Sequence, residues 1–111
     1  MGEILEKIII TKDFTDAPGA RSPKDGEYSG EEFLEKLLKP KFEKVMHIEG
    51  GLLHVDLDST EGYATSFLEA AFGGLARIYG INTVLDHLDF KSLDEPGLVD
   101  EIKQYIFEAN D

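Results

Sequence analysis

The sequence predicts an α/β fold, a single small domain with a mixed, largely parallel sheet and helices packed on it, and three observations carry that expectation. Residues 4–11 are rich in β-branched side chains, with Ile8, Ile9 and Ile10 in succession. The run LLHVDL over residues 52–57 is too short for a helix and is closed by Gly50-Gly51 before it and Asp58-Ser59 after it, which makes it a buried strand. Between and after these runs stand two helix starts of the capping-box form, Ser29-Gly-Glu-Glu32 and Ser66 with Glu69, in which the hydroxyl accepts from the third amide and the carboxylate reaches back. Strands that alternate with helices imply a parallel sheet with right-handed crossovers. At 111 residues the chain is sized for one core.

In chain order, the first strand is expected over residues 4–11. Residues 12–28, with Pro18, Gly19, Pro23 and Gly26, are expected to form a hairpin or extended arm around Lys24-Asp-Gly26. Ser29 then opens a helix with Phe33, Leu34, Leu37 and Leu38 inside, which Pro40 ends or kinks. Phe42, Val45 and Met46 extend the apolar packing up to the central strand. The central helix starts at Ser66, and about 100° per residue puts Phe67, Leu68, Ala71, Phe72, Gly74, Leu75, Ile78 and Tyr79 on its inner arc. Its outer arc holds Glu69, Ala70, Gly73, Ala76 and Arg77. Gly80 caps it, residues 83–90 read as a third strand, and Asp94-Glu-Pro96 opens a terminal helix with Leu98, Val99, Ile102, Tyr105 and Ile106 inside and Phe107 outside.

A formal net charge of -12 argues against nucleic acid or an anionic membrane as partner, because no basic surface is available to displace counterions from phosphates. A basic protein partner would be steered well. Zero cysteines exclude disulfides and thiolate chemistry and fit a reducing compartment. No apolar run approaches the ~18 residues of a membrane helix and the first residues have no leader pattern, so a cytoplasmic address is expected.

The segments Ser29-Gly30, residues 53–57, Ser66-Phe67-Leu68-Glu69 and Phe72-Gly73 resemble the bacterial STAS-like family of unknown function, DUF4325, and more distantly STAS domains such as anti-anti-sigma factors. Arg21 also resembles a recurring arginine of the family. The resemblance implies a four-stranded or similar sheet backed by helices, and a regulatory module that acts through protein contacts rather than catalysis, a histidine-kinase-like ATPase being one kind of partner. It further implies a phosphorylation site at the start of the helix after the central strand, which falls at Thr65 or Ser66. Here the aspartate expected just before that serine is Ala64, and the glycine after it is Phe67.

The small outer arc calls for a reason, since a glycine inside a helix costs about 0.8–1 kcal/mol relative to Ala. Either it packs on the chain's own first helix, or a partner's backbone comes close at Glu69, Ala70, Gly73, Ala76 and Arg77, with Arg21 in the long loop as a further contact to an anion. The alternative function is a receiver-like Mg²⁺ or phosphoryl site at Asp56 and Asp58, with Glu61 nearby. A receiver also needs an acidic pair ending the first strand, where this sequence has Ile10-Thr11-Lys12, and a lysine ending a later one. His47, His54 and His87 lack the close spacing of a zinc motif, with His54 expected as a hydrogen-bonded core or rim residue. No GxSxG, GxGxxG or Walker loop is present, and no cofactor or metal is expected.

Overall fold

The structure, a computed structural model, describes residues 2–109. Strands β1 (Glu3–Ile9), β2 (Gly51–Asp56) and β3 (Leu88–Lys91) form one parallel sheet in the order β1-β2-β3. The resemblance implied a four-stranded or similar sheet; three strands are found among the described residues. The register sets Lys7 beside His54 and Asp89, and Ile9 beside Asp56 and Lys91, with a bulge between Ile4 and Glu6. Alternation along β2 is strict: Gly51, Leu53 and Val55 are buried while Leu52, His54 and Asp56 are half-buried.

The first strand stops two residues before its expected end. Ile10–Asp13 forms a short helix, α1, because the Asp13 carboxylate turns back to accept the Ile9 amide at 2.7 Å. Residues 14–29 form no hairpin. A turn at Ser22 and Asp25, closed by both backbone and side chain, lies where the hairpin was expected, and the segment folds back so that the Ala20 and Arg21 carbonyls accept the Gly30 and Glu31 amides. Helix α2 (residues 30–45) begins at Ser29 as expected, the hydroxyl accepting the Glu32 amide at 3.1 Å. Pro40 does not end it. A π turn over Leu34–Leu38 widens the helix just before the ring, so α2 continues through Val45.

Helix α3 (residues 65–79) likewise contains a π turn, Glu69–Gly73, and ends at Gly80 with φ 95°. The expected strand over residues 83–90 is mostly a helix, α4 (Ile81–His87), and only Leu88–Lys91 pairs with β2. The β-branched character of Thr83 and Val84 yields to packing: Val84 is fully buried, and the His87 ring lies edge-on to Phe42 with Nδ1 2.7 Å from the Gly51 carbonyl. Helix α5 (Gly97–Phe107) starts at Gly97 rather than at Asp94, buries Leu98, Ile102 and Ile106, and leaves Phe107 outside.

Strand order explains where these helices lie. The order 1-2-3 never reverses, so successive right-handed crossovers fall on the same face of the sheet. On that face Ile8, Leu53, Val55 and Leu88 meet Phe33, Phe42, Phe67, Phe72 and Leu75, and Phe72 is edge-on to Phe90 at 5.6 Å. Helix α3 is buried nearly all round, from Phe67 to Ala76, so it is the centre of the helical layer rather than an outer element. Ile78, expected on the inner arc, is instead 47% exposed near the helix end.

Candidate functional site

The loop after β2 leads into α3 at the carboxyl end of the sheet. It is knitted to three other segments: the Thr11 hydroxyl donates to the Ser59 carbonyl at 3.0 Å, the Ser59 amide to Asp94 at 2.8 Å, and the Glu61 amide to the Asp16 carbonyl at 2.7 Å. Ser59 takes a left-handed backbone, φ 69°, which a non-glycine residue adopts at a cost of order 1 kcal/mol or more. Tyr63 donates to the Leu57 carbonyl at 2.8 Å, and its hydroxyl resists ionisation, first because it is buried.

The capping box expected at Ser66 does not form. Ala64 occupies the N-cap position with an extended backbone, α3 starts at Thr65, and no side chain caps it. The reason lies at Glu69. Its carboxylate does not reach back to Ser66 but takes Arg21 at 2.5 Å on one oxygen and Arg77 at 2.7 Å on the other. The two hydrogen bonds, from Arg77 and then Arg21, hold the Glu69 carboxyl below its usual range. Arg77 lies eight residues along α3, and Gly73 is the residue beneath the pair: a Cβ there would stand 2.7 Å from a Glu69 carboxylate oxygen and 3.4 Å from an Arg77 nitrogen.

The rest of the outer arc is not an open face. Ala70 and Ala76 are 4% and 2% exposed, and a Cβ on Gly30 would meet the Phe67 carbonyl oxygen and the Ala70 Cβ. Two helices at such close approach need small residues at the crossing, which is the packing against the first helix that the small arc allowed. Of the residues expected to meet a partner, Glu69, Arg77 and Arg21 come together at the surface; Ala70, Gly73 and Ala76 lie beneath or beside them and are buried. Thr65 is exposed and Ser66 half-buried.

Asp56 and Asp58 are engaged within the chain. One Asp56 oxygen accepts the Asp58 amide at 3.0 Å, and the other is 3.7 Å from Lys91, the lysine that ends β3. Asp58 is buried, and a single oxygen accepts the Leu93 and Asp94 amides at 2.7 and 2.9 Å. No acidic pair ends β1, and no group of side chains suited to a metal ion is found among the described residues. His54 is a hydrogen-bonded rim residue, its Nδ1 2.6 Å from Asp89; His47 is exposed and His87 lies against Phe42. A recess of about 100 Å³ lies between the two loops at Tyr63, Ser92 and Glu95, well under the ~300 Å³ at which small-molecule sites begin. Sequence reasoning missed Tyr63, Asp94 and Lys91. Only Lys91 carried a signal, as a lysine closing a strand.

Helices layered on one face of a short parallel sheet define a small α/β module. The chain belongs to the family described as a STAS-like domain of unknown function, DUF4325, whose model matches residues 29–98. The match starts at the Ser29 cap and ends in the first turn of α5, so β1 and Arg21 lie outside it. No curated protein and no solved structure matches the chain. No helix among the described residues is long and apolar enough to cross a membrane.

Proposed function

We propose that the protein is a non-enzymatic regulatory module that binds another protein through the start of α3, the loop before it and the Arg21, Glu69 and Arg77 cluster. The observation that carries this is the cluster itself, in which guanidinium groups from two segments 56 residues apart (77 − 21) converge on one carboxylate over a helix position without a side chain. Two arginines on one glutamate leave a local positive excess in a chain of net charge -12, and that spot suits a carboxylate or phosphoryl group on the partner. Strand order supports contact over catalysis: ligand crevices in open α/β sheets form where the order reverses, and here it does not. A histidine-kinase-like ATPase in a reducing, cytoplasmic setting is the partner class the family resemblance favours, with exposed Thr65 as the hydroxyl best placed for phosphorylation. The receiver-like alternative at Asp56 and Asp58 has less support, since Asp58 is already used to hold the loop after β3.

A photo-crosslinking side chain at Thr65, expressed in the native host, should give an adduct of one defined mass that Arg77→Glu removes. The same side chain at exposed Lys44, near the far end of α2, should give none. Equal adducts at both positions, or none at Thr65, would overturn the proposal.

A further inference from the structure

All-parallel sheets are ordinarily covered on both faces. This one is covered on one, and among the described residues no helix packs on the other. The open face carries two rows of side chains across the strands, Lys7, His54 and Asp89 in one and Ile9, Asp56 and Lys91 in the next. Leu52 and Ile4 follow toward the amino ends. The two lysines of this face match its two aspartates in number, in a chain whose net charge is -12. Through most of its surface a second copy would be repelled; through this face it is not.

The pattern is also self-complementary. A twofold axis running across the strands between the two rows sets His54 over Asp56 of a second copy and Asp89 over its Lys91, with Lys7 over Ile9. Within each chain His54 already holds Asp89 at 2.6 Å and Asp56 lies 3.7 Å from Lys91, so stacking sets each Lys91 between Asp56 of its own copy and Asp89 of the other. A register shifted by one row sets like residues against each other, His54 on His54 or Asp56 on Asp56, which selects the first arrangement. We propose that the open sheet face is a self-association surface on which two copies stack sheet to sheet in this register. Three strands of about six residues offer roughly 300 Å² per copy, against ~800 Å² in a standard interface, so the dimer is weak and exchanges fast.

The experiment records amide NMR spectra of the whole chain at about 20 μM and about 1 mM, a range chosen for a weak dimer. Concentration-dependent shifts should gather at Lys7, Ile9, Leu52, His54, Asp89 and Lys91. Asp89→Lys sets lysine against lysine across the axis, and Lys91→Asp sets aspartate against aspartate, so each variant alone should stay monomeric. Mixed in equal amounts they should associate, because each lysine of one copy then faces an aspartate of the other. Both side chains are near half exposed, and dispersed spectra verify folding. A wild type that stays monomeric at about 1 mM, shifts gathered elsewhere, single variants that associate like wild type, or a mixture that does not, would each overturn the proposal. Should a variant fail to fold, the wild-type shift map decides.

Discussion

Gly30→Ala and Gly73→Ala make the same chemical change at two sites of the same helix pair, and the structure assigns them different outcomes. At Gly30 the new methyl has its closest neighbour in the Phe67 carbonyl oxygen, part of the α3 backbone, with the Ala70 Cβ at 2.9 Å. Neither can swing aside, so α2 and α3 must part by about 1 Å to restore ordinary contact, and overpacking of this kind costs about 1–3 kcal/mol. Shifting the first turn of α2 also loosens the Ser29 cap, worth about 1 kcal/mol. Together these place Gly30→Ala some 2–4 kcal/mol below wild type, a fall in Tm of at least about 8 °C. At Gly73 the neighbours are the ends of two flexible side chains, Glu69 and Arg77. Alanine gains about 0.8–1 kcal/mol in helix propensity and disturbs a surface ion pair worth about 0–1 kcal/mol, so the net change is near zero or slightly stabilising. Urea unfolding and calorimetry on both variants decide the matter. A Gly30→Ala protein as stable as wild type, or a Gly73→Ala protein that falls as far as Gly30→Ala, would refute the helix-crossing account.

Other perturbations follow from the same contacts. Asp58→Ala removes the acceptor for the Leu93 and Asp94 amides and should cost about 1–3 kcal/mol, with faster amide exchange at both residues. Glu69 has its folded pKa lowered, so its contribution is present above the unfolded value and is lost as pH falls through the folded one; Glu69→Gln should therefore flatten the acid limb of the stability curve below about pH 4.5, slightly, because solvent screens the pair. Tyr79 is pushed up to about 12 by burial and by its bond to Glu43, so its stabilisation holds below the ordinary tyrosine range and is lost as pH rises through about 12; ultraviolet titration of Tyr79→Phe should show one phenolate fewer in the late step, to which Tyr63 and Tyr105 also contribute. Phosphorylation of Thr65 would add charge favoured by the α3 amino end by about 0.3–1 kcal/mol and opposed by nearby carboxylates, leaving the fold intact; a melting curve of phosphorylated against unmodified protein tests this.

What could be read in the sequence was what neighbours along the chain decide. The Ser29 cap formed because its partner sits three residues on, and β2 was legible because turns bound it and one of its faces is wholly buried. The same reasoning failed at Ser66, where the pattern was as good, because Glu69 found two arginines, one of them 48 residues away, and no local rule anticipates Arg21. Thr83 and Val84 looked like strand because their branching favours it; a helix won because His87 and Val84 had to reach Phe42, Gly51 and the core beneath the sheet. The outer arc of α3 was recognised as small without its neighbour being known, since the Gly30 crossing is a contact between residues 40 apart (70 − 30). Of the candidate site, the charged members were named in advance and their convergence was not.

The partner claim is tested most directly by hydrogen exchange on the protein alone and in complex with whatever protein the Thr65 crosslink captures. Slower exchange is expected in residues 58–68, around Arg21 and at Arg77, with residues 39–45 unchanged. Protection confined to α2, α5 or the strands, with residues 58–68 exchanging as in the free protein, would contradict it.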